Sequence, residues 1–128
     1  MSPPPGTPPA LHELESEVME EMWRQREATV RDVLEALNRG PKERAYTTIM
    51  TIMGRLWQKG LLSRKRRGRA DVYRAILSRE DYLQARAEAE VDAVVEEFGD
   101  LALSHFARQV GGLDAERLRR LRELTNDG

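Results

Sequence analysis

One segment, from Ala45 to Arg74, constrains the fold of this chain more than any other. In its first half, AYTTIMTIMGRLWQKGLL, the apolar residues recur at helical spacing, which predicts an amphipathic helix. In its second half, SRKRRGRADVYR, a two-residue alternation near Gly68 predicts two short strands joined by a basic turn. A helix that runs through Gly60 into a basic hairpin is typical of a winged helix-turn-helix. The predicted buried stripe of the helix is Ile49, Ile52, Met53 and Leu56.

The opposite face of this helix carries short side chains that are mostly uncharged and able to form hydrogen bonds. Thr47, Thr51 and Gly54 lie on it, flanked by Met50 and Arg55. Such a face fits against base edges in the DNA major groove, where bulky side chains would prevent close approach. A threonine-rich face or a basic run alone is usually solvated surface, and their order along the chain favours DNA binding. The predicted DNA-contacting residues are Thr47, Thr48, Met50, Thr51 and Arg55 on the helix, and Arg67 and Arg69 on the hairpin.

Charge is segregated along the chain. Residues 41–74 contain ten basic and two acidic residues, a net charge of +8. The remaining residues contain eleven basic and twenty acidic ones, a net charge of −9, so the overall charge is only −1. A basic module on an acidic body is compatible with a polyanionic partner even though the whole chain is slightly acidic.

The pattern before residue 78 predicts three short helices and the hairpin, which is the order expected of a winged-helix DNA-binding domain over residues 11–77. The second helix would begin after Thr29, whose side chain would form a capping box with Asp32. The third helix would be capped by Thr47 or Thr48. The predicted fold class is therefore mainly α with a small β-hairpin wing, followed by a helical dimerisation unit.

Residues 1–10 and 78–128 lie outside this domain. The closely spaced prolines of residues 1–10 predict a disordered, polyproline-like tail. Residues 78–128 predict three helices with no sheet to cover them, a unit that buries too little surface to be stable alone. We expect it to pack against a second copy as a dimerisation domain, and the alternative is that its helices fold back onto the first domain. The predicted dimer contacts are Val91, Val95, Phe98, Leu118 and Leu121.

Several classes of function are disfavoured by residues that the chain lacks. Without cysteine, disulfides, thiolate metal sites and thiol redox sensing are excluded. The two histidines, His12 and His105, fall in different domains, and there is no HExxH motif, glycine-rich phosphate loop or serine elbow. We therefore expect no enzymatic activity, no metal site and no cofactor.

The sequence also predicts the compartment and the partners. It has no run of about 18 apolar residues, so no membrane insertion is expected. Its N-terminus has neither the basic nor the apolar region of a secretion signal, which predicts a cytoplasmic protein. The expected partners are double-stranded DNA and a second copy of the chain.

The block AYTTIMTIMGRLWQKGLL closely resembles the recognition-helix segment of the penicillinase repressors, the BlaI/MecI family of winged-helix regulators. The stretches LESEVMEEMW and LSHF also match the family's pattern, so the resemblance extends over about residues 11–110. It implies a homodimer that binds a palindromic operator and represses genes, often for β-lactamase or cell-wall functions. It also implies that the C-terminal helices supply the dimer contact.

The same resemblance implies how repression would be relieved. In the family, a membrane-bound sensor metalloprotease triggers cleavage within the C-terminal unit. Carried over to this chain, the possible cleavage site is His105-Phe106, where the family often has asparagine before the phenylalanine. Copper-responsive relatives use cysteine pairs, which this chain lacks, so no copper sensing is expected.

Two other functions are compatible with the same residues. The winged helix would be a protein-interaction module if its basic wing served an acidic partner, in which case it would show no salt-dependent affinity for duplex DNA. It would be a small-molecule-responsive regulator if a ligand bound between the two units.

Overall fold

The computed structural model describes residues 6–126, so residues 1–5 of the predicted tail lie outside the described residues. Contacts divide the chain into two packing units, one up to Glu88 and one from Ala89 onward. The predicted start of a separate dimerisation domain at residue 78 stays a prediction. The described elements, in chain order, are α1 (Glu13–Gln25), β1 (Glu27–Ala28), α2 (Val30–Leu37), α3 (Tyr46–Gln58), β2 (Leu62–Arg67), β3 (Ala70–Ala75), α4 (Arg79–Phe98), α5 (Asp100–Gly111) and α6 (Ala115–Asn126).

The core of the first unit lies among α1, α2, α3 and the sheet. Burial of one large apolar side chain stabilises a fold by about 1.5–3 kcal/mol, so this packing fixes which face of α3 points inward. The predicted stripe is buried along its whole length, which confirms that part of the sequence analysis. Its members are Ile49, Ile52, Met53 and Leu56, and they pack with Val18, Met19 and Met22 of α1.

The three strands form one antiparallel sheet in the order β1-β3-β2. Strands β2 and β3 pair from Leu62 with Ala75 to Arg67 with Ala70, as the predicted hairpin requires. Gly68 has φ 65° and is the first residue of the two-residue loop. Glycine at this position is the pattern of a type II′ turn, whose backbone twist suits a two-stranded ribbon. The hairpin therefore projects as a short wing whose tip is basic.

The end of α3 sets where the wing begins. Gly60 has φ 80°, a left-handed conformation that other residues adopt at a cost. The Leu61 N–H donates to the Leu56 carbonyl at 2.9 Å, and the Gly60 N–H donates to the Trp57 carbonyl at 3.1 Å. This pair of hydrogen bonds is a Schellman motif, which stops the helix and satisfies its last carbonyls. Strand β2 starts directly afterwards, so the wing is held beside the helix.

Helix α2 begins as the sequence predicts. The Asp32 N–H donates to Thr29 Oγ1 at 3.2 Å, and the Thr29 N–H donates to Asp32 Oδ2 at 3.0 Å. These two reciprocal bonds form the predicted capping box, in which aspartate replaces the usual glutamate.

Helix α3 begins earlier than the sequence predicts, so the prediction that Thr47 or Thr48 caps it is wrong. Ala45 is the N-cap, with an extended backbone and no side-chain cap. The reason is a tertiary clamp just before it: the Asn38 amide donates to the Arg44 carbonyl at 3.1 Å and accepts from the Arg44 N–H at 2.7 Å. Because this clamp directs the chain into the helix, both threonines lie in the first turn.

The start of α4 packs within the first unit. Tyr82 is buried, its ring centroid lies 5.6 Å from that of Trp23, and its hydroxyl donates to the Pro9 carbonyl at 2.6 Å. Arg86 donates to the Pro8 carbonyl at 3.1 Å. Pro8 and Pro9 therefore accept hydrogen bonds from α4, whose donors the sequence pattern of the tail does not reveal, and the disordered tail over residues 1–10 stays a prediction.

A buried ion pair joins α1 to the end of α3. Glu15 is 1 % exposed, and its carboxylate accepts hydrogen bonds from Lys59 Nζ at 2.7 and 3.0 Å. The His12 N–H donates to the same carboxylate at 3.0 Å. Burial works to raise the pKa of Glu15, but the bonds from Lys59 and His12 outweigh it and leave that pKa below its ordinary value.

Candidate nucleic-acid interface

The outward face of α3 is available to a partner. All five predicted contact residues on this helix are exposed, and Met50 is 46 % exposed. The face is opposite the buried stripe, so a surface pressed against it would meet three short hydroxyl side chains, together with Met50 and one charged residue, Arg55. Such a surface is able to approach base edges closely. The five residues are Thr47, Thr48, Met50, Thr51 and Arg55.

Gly54 lies on the same face and has no structural need to be glycine. A Cβ added at this position would meet nothing within 4 Å, and its φ is not in the left-handed region. Glycine inside a helix destabilises it by roughly 0.5–1 kcal/mol relative to alanine. The residue therefore costs stability without serving the packing of the chain, as expected where another molecule must approach the backbone closely.

Gly54→Ala is expected to raise the free energy of unfolding by about 0.5–1 kcal/mol and to weaken duplex DNA binding at the same time. Denaturant unfolding measures the first effect, and a DNA titration measures the second. Gly111→Ala in α5 is the matched control, because a Cβ there also meets nothing within 4 Å. The control should be stabilised without losing DNA affinity. If Gly54→Ala binds DNA as tightly as the parent, the backbone at Gly54 does not approach the duplex.

The wing carries its cations in an ordered arrangement. The Arg64 guanidinium lies 3.7 Å from the centroid of the Trp57 ring, a cation–π contact that joins the wing to α3. Arg66 pairs with Asp71 at 3.5 Å. Arg69 follows Gly68 at the tip and is exposed. Neighbouring side chains therefore position the guanidinium groups of Arg64 and Arg66, and Arg69 adds an exposed cation at the tip.

Arg67, predicted to contact DNA, has an internal partner that the sequence analysis did not identify. Its guanidinium pairs with Glu27 of β1 at 2.7 Å, and the Arg67 side chain is 64 % exposed. Exposed ion pairs of this kind contribute little to stability, so a phosphate oxygen can replace the carboxylate at small cost. The pairing positions Arg67 without removing it from the candidate interface.

A cleft of about 430 Å³ lies between α3 and the wing, and it brings together residues that the sequence analysis missed. Arg31 of α2 and Tyr46 of α3 line it, with the Arg31 guanidinium 5.5 Å from the centroid of the Tyr46 ring. Met50, Arg66 and Arg69 line it as well. The signal for Arg31 is weak in the sequence, because a single arginine at the start of a helix resembles any solvated residue.

Part of the basic segment faces α1 instead of the candidate interface. Lys59 is held by Glu15 as described above, and Arg44 pairs with Glu17 at 3.0 Å. These cations bind acidic residues of α1 and hold α3 and its preceding loop in place. Some cations of the +8 segment, residues 41–74, therefore form ion pairs within the domain, and others remain on the outward face of α3 and on the wing.

The second unit leaves its apolar residues uncovered. Among the described residues from 89 onward, Ala102 is the one buried apolar side chain. Of the predicted dimer contacts, Val91 and Phe98 are exposed, while Val95, Leu118 and Leu121 are half-buried. Further exposed apolar residues in this unit are Val94, Leu101, Leu103, Phe106, Val110 and Leu124.

The possible cleavage site lies in regular secondary structure. His105 and Phe106 fall in the middle of α5, and both are exposed. A protease needs an extended segment, so α5 would have to open before this peptide bond is cut.

Two further properties of residues 6–126 bear on other functions. No helix there is long and apolar enough to cross a bilayer. No group of three or more acidic or histidine side chains in the same residues is placed to hold a metal ion.

Comparison with known proteins gives consistent matches. The family model described as penicillinase repressor matches residues 11–127. The transcriptional regulator BlaI of Mycobacterium tuberculosis is 40 % identical over 113 residues, which cover 86 % of this chain and 80 % of the relative.

Two solved structures resemble the first part of the chain. The solution structure of the DNA-binding domain of the repressor BlaI is 29 % identical and covers 59 % of this chain and 90 % of its own, with a TM-score of 0.52. The solution structure of monomeric Bacillus licheniformis BlaI in complex with the blaP half-operator shows the same identity and coverage, with a TM-score of 0.50. The winged-helix prediction is confirmed by the resemblance to the BlaI DNA-binding domain. The prediction that the chain is not an enzyme is confirmed by its family, whose members are transcriptional repressors. The chain belongs to the penicillinase repressor family of transcriptional regulators.

Proposed function

We propose that this repressor binds a palindromic operator as a homodimer, with α3 of each subunit in the major groove and each wing against the phosphates. The observation that carries the proposal is the outward face of α3, which combines exposed threonines with a glycine that the fold itself does not need. Arginines flank this face on the wing and on α2, where phosphates would lie on either side of the groove. The Bacillus licheniformis relative, whose monomeric form was solved in complex with the blaP half-operator, supports the part of the proposal that concerns operator binding.

The site residues divide into two roles in this proposal. Thr47, Thr48 and Thr51 contact base edges, so their replacement by alanine would change which sequences bind best. Arg67 and Arg69 contact phosphates, so their replacement by glutamine would weaken all sequences similarly. Met50 and Arg55 complete the surface, Met50 by apolar contact and Arg55 by contact with the backbone of the duplex.

A salt titration tests the proposal. If each subunit of the dimer neutralises about four phosphates, the slope of log K against log salt concentration should be near −7. The triple replacement of the threonines should leave this slope unchanged while altering sequence preference. Arg67→Gln should reduce the magnitude of the slope by about 1 for each phosphate that the variant no longer neutralises. Salt-independent or undetectable duplex binding would contradict the proposal and favour a protein-interaction module.

The dimer contact in this proposal is the second unit. Many large apolar side chains between Val91 and Leu124 are exposed to solvent in the single chain. A second copy of the chain could cover this apolar surface, and each copy would bury the surface of the other. The predicted contacts Val91, Val95, Phe98, Leu118 and Leu121 would lie in that interface. Dimerisation places two recognition helices about one helical turn apart on the operator.

Relief of repression is the last part of the proposal. A membrane sensor protease system would lead to a cut at His105-Phe106, which separates the second half of α5 and all of α6 from the rest of the chain. Because the protein acts on operator DNA, its working compartment is the cytoplasm. The sensor and the regulated genes would be those of a cell-wall or β-lactam response, as the family resemblance implies.

A further inference from the structure

A second cavity, of about 590 Å³, lies at the base of the wing within the first unit, and we refer to it as the basal cavity. Its volume is in the range of small-molecule sites, about 300–1,000 Å³. It is separate from the cleft between α3 and the wing, because the two share no lining residue. The residues that decide its chemistry are Met22, Trp23, Arg26, Arg74, Leu77 and Arg79.

The apolar part of the basal cavity is held by contacts within the first unit. Met22 belongs to the core and is fully buried. The Trp23 indole N–H donates to the Leu77 carbonyl at 3.0 Å, and the indole ring packs against Tyr82. Both the polar and the apolar contacts of Trp23 are therefore satisfied within the fold, so the ring is held in place. A flat apolar ligand would meet a surface that needs no rearrangement.

The polar part of the basal cavity is cationic. Arg26 and Arg74 are exposed, and neither forms an ion pair with a carboxylate within residues 6–126. Arg79 donates from Nε to the Glu20 carboxylate at 2.9 and 3.0 Å. Three arginines thus line the cavity, and its lining, among the described residues, includes no acidic residue. Guanidinium groups bind carboxylates in a bidentate way.

The backbone at Arg26 is strained. Within residues 6–126, Arg26 is the one residue other than glycine with a positive φ, at φ 70° and ψ −42°. Its N–H donates to the Met22 carbonyl at 2.8 Å and ends α1. Glycine or asparagine would adopt this conformation more easily. An arginine at such a position indicates that its side chain is used, because strained residues cluster at functional sites.

We propose that the basal cavity binds a small organic anion with a flat apolar body, of the aromatic carboxylate class. The carboxylate lies between Arg26 and Arg74, and the ring packs against Trp23 and Leu77. The site lies inside the winged unit, and its occupation requires neither DNA nor a second copy of the chain. The inference therefore goes beyond the proposed operator binding and is tested separately from it.

Titration of the full-length, ¹⁵N-labelled protein with 2-naphthoate in the absence of DNA tests the site. We expect saturable chemical-shift changes at the Trp23 indole N–H and at the amides of Arg74 and Ser78. Two probes separate the contributions: 2-naphthalenemethanol keeps the ring without the charge, and sulfate keeps charge without the ring. Both should bind at least about tenfold more weakly than naphthoate, because each lacks one half of the contact. If either probe binds as tightly as naphthoate, the assignment is wrong.

Three variants locate the anion. Arg26→Gly removes the guanidinium while relieving the strained backbone, so the fold should be retained, with an unchanged pattern of amide shifts elsewhere. Arg26→Gly and Arg74→Gln should each weaken naphthoate binding about tenfold or more. Arg69→Gln, which removes an exposed arginine at the tip of the wing, should leave naphthoate binding unchanged. Parent-like affinity in either cavity variant, or an equal loss in Arg69→Gln, would overturn the proposal.

Discussion

Cutting this chain within α5 is expected to lower its affinity for a full palindromic operator by about a hundredfold or more. A dimer on a palindrome holds two half-sites at once, so the second contact is effectively intramolecular, and that gain disappears when the subunits separate. A specific protease site inserted between Ser104 and Arg108 allows the cut to be made when α5 opens locally, while the winged unit stays folded. Operator affinity and sedimentation, measured before and after cutting, give the result.

A half-operator duplex is the control for this experiment. One subunit is enough to occupy it, so cut and uncut protein should bind it equally well. Loss of affinity for both duplexes would mean that the cut damages the winged domain and not the dimer. An intact dimer with unchanged operator affinity after complete cleavage would exclude this mechanism of induction.

A variant with an intact chain checks the interface on its own. Phe98 is 52 % exposed in the single chain. If the partner covers it, Phe98→Ala should weaken dimerisation by about 2–4 kcal/mol. It should leave half-operator affinity unchanged, because no DNA-contacting residue is altered. A dimer as tight as the parent would place the interface elsewhere.

Lys59→Met is expected to destabilise the winged unit by about 3 kcal/mol at neutral pH, although it removes only one side chain at the end of α3. Glu15 is 1 % exposed, and the variant leaves its carboxylate buried without its cation. The Lys59 side chain is 30 % exposed, so the figure lies at the lower end of the range for broken buried pairs. Denaturant unfolding at fixed protein concentration measures the loss, since a dimer's stability depends on concentration.

The double variant Glu15→Leu with Lys59→Met is the control for the charge. Replacement of both partners by apolar residues leaves no buried ion, so the double variant should be more stable than Lys59→Met alone. The His12 N–H, which loses its acceptor, belongs to an exposed residue, so water should be able to replace the carboxylate. If the double variant is as unstable as the single one, packing and not the orphaned charge explains the loss.

The pH dependence gives this prediction a second test. In the parent, the pKa of Glu15 is depressed below 4.5, so its contribution is present above about pH 4.5 and is lost as the pH falls through the lower folded value. In Lys59→Met, burial without a partner should raise the folded pKa above the unfolded one. The variant should then regain stability as the pH falls toward about 4.5. Its deficit relative to the parent should shrink between about pH 7 and pH 5, whereas a pH-independent deficit would contradict the argument.

The features that the sequence predicted well are those encoded by neighbours along the chain. The buried stripe of α3 depends on helical spacing, and the Thr29–Asp32 capping box depends on two residues in one turn. The hairpin turn depends on the left-handed conformation that Gly68 adopts without cost. Each of these features depends on residues that are close in the sequence, so it can be predicted without knowing the path of the rest of the chain.

For the predicted DNA-contact residues, the sequence predicted their exposure correctly, but their role is not yet tested. Their exposure on α3 followed from the period of the apolar stripe, since a helix with one buried face must present the other. Their use in reading an operator stays a prediction. What the sequence did not predict is the start of the helix at Tyr46, because the clamp between Asn38 and Arg44 acts across the preceding loop.

The sequence by itself determined the winged-helix fold, the outward face of α3 and the basic hairpin, because helical period, strand alternation and glycine conformation are local properties. The tertiary structure alone decided which cations pair with carboxylates of the same chain. Lys59 meets Glu15 across 44 positions, and Arg67 meets Glu27 of another strand. It also decided that Pro8 and Pro9 lie against α4 and that three arginines line one cavity. The physical reason is that an ion pair or a cavity depends on the path of the backbone in space, which short-range spacing does not specify.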